Sequence, residues 1–105
     1  MKSIVIPAND PDFVGRSVVE RVKLLACRLL RERRFVGRFE LEPQTWSYCE
    51  YELLHSHQPT FKFAGSIGGA ADDAWHIELI VAGALVRIYV DPDLGELAVR
   101  AAVTE

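Results

Sequence analysis

The residues of this 105-residue chain whose types could do chemistry fall into a few groups. His55-Ser56-His57 sets two imidazoles at i and i+2, a spacing that on a strand turns both toward one divalent metal. Cys49, Glu50 or Glu52 would have to complete the site. None stands at a set ligand spacing, and Gln58-Pro59 places the pair in a turn, so no metal is expected. His76 and Asp91, with Ser66, have the residue types of a hydrolytic triad. No Gly-x-Ser-x-Gly elbow accompanies them, and cross-strand pairing of His76 and Glu78 with Asp91, Tyr89 and Arg87 on a wetted sheet face accounts for the same residues. Gly65-Ser66-Ile67-Gly68-Gly69 lacks the Gly-Lys-Ser/Thr close of a phosphate loop. Cys27 stands among Lys23 and Arg31, cations that favour a reactive thiol, although an inert, partly buried one is the commoner case. No catalytic residue and no cofactor follows from these patterns.

The densest chemistry is basic. Arg28, Arg31, Arg33, Arg34 and Arg38 lie within eleven residues. A helix C-terminus is served by one or two cations, because its dipole fades within the last turn. Guanidinium groups also bind carboxylates through two parallel hydrogen bonds, which suits an interface. Arg28, Arg31, Arg33 and Arg34 are therefore the first candidates for an interaction surface, with Arg87 and Tyr89 on the outer sheet face second. Residues 1–38 carry nine Lys/Arg against four Asp/Glu, a net of +5, while residues 39–105 carry three against eleven, a net of −8. The plain account of that split is complementarity within the molecule. The functional account is a protein partner with an acidic surface, or the acidic sheet of a second copy. Nucleic acid fits less well, since basic and aromatic residues do not interleave on the sheet.

The elements that must position these groups follow from periodicity. Ile4 to Ile6 reads as a short strand stopped by Pro7. Val18, Val22, Leu25 and Leu29 recur at i, i+4, i+7 and i+11, predicting one long amphipathic helix from Phe13 to about Arg34, with Asp10 or Asp12 as N-cap and Gly37 near its end. The period then switches to two at Phe39 and Leu41. Pro43-Gln44 reads as a turn, pairing Leu41 with Trp46 and Phe39 with Tyr48. Residues 45–54 read as strand from their Thr, Trp, Tyr and Cys, with a helix presenting Trp46, Cys49 and Leu53 as the alternative. Phe61 and Phe63 alternate toward Ile67. Gly83-Ala84 reads as a two-residue hairpin turn that sets Ile77 opposite Val90, Leu79 opposite Ile88 and Val81 opposite Val86. The turn at 91–96 then pairs Val90 with Leu97, Ile88 with Val99 and Val86 with Ala101. The expected fold is a single α+β domain over 1–105: one long N-terminal helix on a curved antiparallel sheet of about five to seven strands.

Residues 74–97, with Trp75 opening a strand and Val90-Asp91-Pro92-Asp93-Leu94-Gly95-Glu96-Leu97 joining the last two, resemble the closing hairpins of PepSY-type domains. They are similar also to cystatin-like and nuclear-transport-factor-like small immunity proteins of bacterial toxin systems. The resemblance implies a non-catalytic binding or inhibitory module. The leading expectation is thus a small protein-interaction module: an inhibitor, immunity protein or adaptor. The alternative is a small-ligand-binding domain or enzyme with a pocket between helix and sheet, lined by Trp46, Tyr48, Tyr51 and Trp75. No apolar stretch approaches the ~18 residues of a membrane helix, so no membrane partner is expected. The start shows no secretory leader pattern, and the two cysteines imply free thiols; both point to a cytoplasmic setting.

Overall fold

A computed structural model describes residues 2–56, 61–70 and 73–104. Its elements are β1 (Lys2–Ile6), α1 (Val18–Arg31), β2 (Phe35–Leu41), α2 (Pro43–His55), β3 (Phe61–Ala64), β4 (His76–Val81), β5 (Ala84–Val90) and β6 (Val99–Val103). The strands form one six-stranded sheet in the order β1-β6-β2-β5-β4-β3, and both helices pack on its apolar face. The fold is α+β as expected, with two helices rather than one and a mixed rather than antiparallel sheet.

The predicted long helix begins later than its apolar pattern. Ser17 is the N-cap: its hydroxyl accepts from the Glu20 amide, while Oγ donates to the Glu20 carboxylate, both at 3.2 Å. This Ser-x-x-Glu cap, in which the carboxylate meets the Ser17 hydroxyl rather than its amide as in a full capping box, displaces the expected Asp10 and Asp12. Asp10 instead organises a turn over residues 10–14, accepting from the Asp12 amide at 2.9 Å, and delivers Phe13 to the core. At the other end the Arg33 amide bonds the Leu30 carbonyl and the Arg34 amide the Leu29 carbonyl, with Arg33 left-handed at φ 57°. That is a Schellman stop built on arginine. Gly37, the expected terminator, lies inside β2 at φ 91°, where a Cβ would come within 2.7 Å of the Leu85 carbonyl.

Residues 45–54 are helical, which corrects the strand reading and the turn at Pro43-Gln44. The Glu42 carboxylate accepts from the Gln44 amide at 2.9 Å and the Thr45 amide at 2.6 Å, and Pro43 occupies the first turn, where no N–H is missed. Trp46, Cys49 and Leu53 form the buried stripe that a helix requires, and the indole N–H donates to the Ile88 carbonyl at 3.2 Å. Capping and periodicity outweigh the modest strand preference of Thr, Trp and Tyr.

The hairpin turn is Ala82-Gly83, not Gly83-Ala84, with both residues left-handed at φ 51° and 79°. The pairing is therefore Ile77 with Ile88, Leu79 with Val86 and Val81 with Ala84. This two-residue slip leaves every side chain on its expected face, because the strand period is two. The second expected pairing fails for another reason. β2 inserts between β5 and β6, parallel to β5 and antiparallel to β6, so Phe39 lies between Ile88 and Ala101. Ile88 is fully buried.

Left-handed alanine is costly, and Asn visits that region more readily. Ala82→Asn should raise stability by up to about 1 kcal/mol in a denaturant melt. A loss of stability, as expected of Asn inside a strand, would contradict the observed turn.

Candidate functional site

The segment 10–16 and α1 enclose a groove of about 620 Å³ lined by Phe13, Val14, Arg16, Leu24, Arg28 and Arg31 among others. Asp12 and Glu20 also face it. Arg28 bonds the Asp12 carboxylate at 2.9 Å and lies over the Phe13 ring, 5.2 Å from its centroid. Arg16 donates to the Asp12 carbonyl at 3.1 Å and pairs loosely with Glu20 at 3.7 Å. Among the described residues no carboxylate pairs with Arg31. Three arginines against two carboxylates leave the groove one net positive charge. Two apolar side chains lie open beside them, Val14 at 61% and Leu24 at 37% exposure.

The other expected interaction residues lie elsewhere. Arg34 pairs with Glu32 at 3.4 Å and its carbonyl accepts from the Thr104 amide, so Arg33 and Arg34 form the turn that feeds β2. Arg87 and Tyr89 project from the far face of the sheet. Arg87 bonds Glu78 at 3.2 Å, and Tyr89 is buried beneath Arg38, whose guanidinium stands 3.9 Å from the ring centroid. The six residues thus divide between a helix end and the opposite side of the molecule.

That far face is a ladder of ion pairs. Glu78 lies opposite both Lys62 and Arg87, not opposite Tyr89, and Arg100 takes Glu40 through two nitrogens and also contacts Asp91. His76 is only 4% exposed and lies opposite Ala64, with Nδ1 2.7 Å from the Ala74 carbonyl and Nε2 3.0 Å from Glu78. Its expected partner Asp91 belongs to Arg100 instead, and Ser66 sits in a closed turn with its amide on the Asp73 carbonyl. No triad is assembled. His76, then Arg87 and Lys62, hold the Glu78 carboxyl below its ordinary value of 4.5 against the cost of burial.

The four aromatics expected to line one pocket do not meet. Trp46 is in the core, tilted against Phe63, and the half-exposed Trp75 stacks on the same Phe63 ring at 5.5 Å. Tyr48 and Tyr51 point outward from α2, and Tyr51 stacks on His55 at 4.0 Å. His57 lies outside the described residues, and among those described no three potential ligands gather around a metal position. Cys27 and Cys49 are unpaired thiols. Burial, then Glu52 and Glu50, push the Cys49 thiol up to about 12, so it stays protonated at neutral pH.

Glu52, considered in the sequence only as a metal ligand, and Arg21, given no role there, organise this region. Glu52, from α2, accepts from the Val18 amide at 3.2 Å and the Val19 amide at 2.9 Å. Arg21 is 6% exposed and donates to the carbonyls of Arg16, Ala8 and Leu97. Only the Ser17-x-x-Glu20 cap was open to a reader of the sequence; these longer bonds span up to 76 residues.

Comparison of the chain with protein-family models, with curated proteins and with solved structures finds no match.

A carboxyl whose folded-state pKa is depressed contributes stability above its ordinary value and loses it as pH falls through the folded value. Wild-type protein should therefore lose stability more steeply than Glu78→Gln below pH 4.5, and the two should converge in acid. Parallel thermal melts across pH check this, and equal slopes would contradict the Glu78 network.

Proposed function

We propose that the protein is a non-catalytic interaction module that captures an acidic segment of a protein partner in the Arg16–Arg28–Arg31 groove. The observation that carries this reading is the combination of unpaired Arg31 with exposed Val14 and Leu24 in one concave surface. A groove of this kind offers carboxylates a guanidinium fork and apolar side chains a dry contact.

The charge distribution supports it. The ion pairs of Arg16, Arg28, Arg34, Lys62, His76, Arg87 and Arg100 each join partners from the same half of the chain. The arginines of the groove, Arg16, Arg28 and Arg31, are therefore not neutralised by ion pairs with described residues of the acidic half. Carboxylates on the outer sheet face are engaged by Lys62, Arg87 and Arg100, which leaves that face a poor acidic surface for a second copy. The resemblance of residues 74–97 to PepSY-type and cystatin-like binding modules implies interaction rather than chemistry, though of its two hairpins only β4–β5 is formed, since β2 separates β5 from β6. No helix among the described residues is long and apolar enough to cross a membrane. A cytoplasmic setting, in which both thiols remain reduced, belongs to this reading.

The test is fluorescence anisotropy with a labelled peptide of alternating Glu and Leu. Saturable binding is expected, weakened about tenfold or more by Arg28→Gln combined with Arg31→Gln, and falling as salt rises past the point where the Debye length is about 8 Å. Thermal stability should change little, since exposed ion pairs contribute only about 0–1 kcal/mol. Binding that survives both changes removes the reading; salt-sensitive dimerisation of the protein alone would transfer it to a second copy.

A further inference from the structure

A second groove, of about 250 Å³, opens on the other side of the first turn of α1. It is lined mainly by the apolar surfaces of Val18, Tyr48, Tyr51 and Leu97, and Arg21 forms part of its wall. Arg21 is a buried cation without an ion-pair partner among the described residues. Its Nε donates to the Arg16 carbonyl at 3.0 Å, and Nη1 donates to the Ala8 and Leu97 carbonyls at 3.3 and 3.4 Å. Nη2 has no partner among the described residues. Yet no buried side-chain nitrogen or oxygen there is left unbonded, so Nη2 is not sealed from solvent, and Arg21 is among the residues that line the groove. A guanidinium held by neutral carbonyls keeps its full charge, and removing it from water without a counter-ion is costly.

The other groups in the groove leave room for an anion. Glu52 has both oxygens turned to the Val18 and Val19 amides. Arg16 is occupied by the Asp12 carbonyl and Glu20. The amides of the first helical turn are already capped by Ser17 and Glu52, so Arg21 is the cationic donor of the groove that has no carboxylate beside it among the described residues. Leu97 is left-handed at φ 60°, fixed through its amide to the Thr45 hydroxyl at 2.8 Å and through its carbonyl to Arg21. Tyr51 is 63% exposed, and together with Tyr48 offers ring surface at the mouth.

We infer that this groove binds a small organic carboxylate with a flat apolar body, its carboxylate on Arg21 Nη2 and its ring against Tyr48 and Tyr51. The proposal is independent of the acidic-segment groove, since it uses neither Arg28 nor Arg31.

Benzoate is the probe and benzamide, its neutral isostere, the control. In ¹H–¹⁵N spectra of the intact protein, benzoate should shift the Arg21 Nε–H and Leu97 amide resonances saturably, and benzamide should not. Tyr51→Ala, an exposed change that leaves the fold intact, should weaken benzoate binding about two- to tenfold, the size of one aromatic contact. Arg28→Gln should leave it unchanged. Absence of saturable shifts with benzoate, equal shifts with benzamide, or full affinity in Tyr51→Ala would each overturn the assignment.

Discussion

Glu52 reaches from the third turn of α2 to the first turn of α1 and takes two of its free amides. An isolated helix leaves its first amides unsatisfied, and a carboxylate there is favoured by hydrogen bonding and by the helix dipole, together worth about 1–2 kcal/mol. The contact fixes the two helices as one layer before the sheet is considered. Arg21, in the second turn of α1, then ties that layer to Ala8, Arg16 and Leu97. Both grooves are consequences. Segment 10–16 is held against α1 on one side, and Leu97 with the tyrosines of α2 on the other. Arg16 faces both.

The sheet imposes the second constraint. Its inner face is apolar, aromatic at Phe39, Phe61 and Phe63 and otherwise mainly aliphatic, and is covered by Val22, Leu25, Leu29, Cys49 and Leu53. No helix of the described chain covers its outer face, which is instead shielded by paired charges and by His76 and Tyr89 packed ring to ring at 4.6 Å.

Apolar patterning told the faces of β4 and β5 correctly despite a wrong register, because a slip of two preserves the alternation. It could not tell which strands are neighbours. β2 lies between β5 and β6 through pairings of Phe39 with Ile88 and with Ala101 that no turn encodes. α2 was obscured because Thr45, Trp46 and Tyr48 favour strands individually, while the deciding features, Glu42 as a cap and Pro43 in the first turn, are helix-start signals overlooked beside a plausible β-turn. Arg28 and Arg31 were legible as part of a basic helix end. Arg16, Val14 and Leu24 join them only because the turn at Asp10 folds back along α1. Arg21 reads in the sequence as one more cation; its burial depends on carbonyls supplied by three distant segments.

Amide hydrogen exchange at Val18 and Val19, compared between the wild type and Glu52→Ala, tests most directly whether one carboxylate holds both grooves. Exchange at these two amides should quicken about fivefold or more, as expected for losing a capping interaction of about 1 kcal/mol or above. The resonances of Val14 in one groove and Tyr51 in the other should move with it. Unchanged exchange at Val18 and Val19, with Val14 and Tyr51 undisturbed, would show that the helices are held by their apolar contacts alone and that Glu52 has no part in shaping either groove.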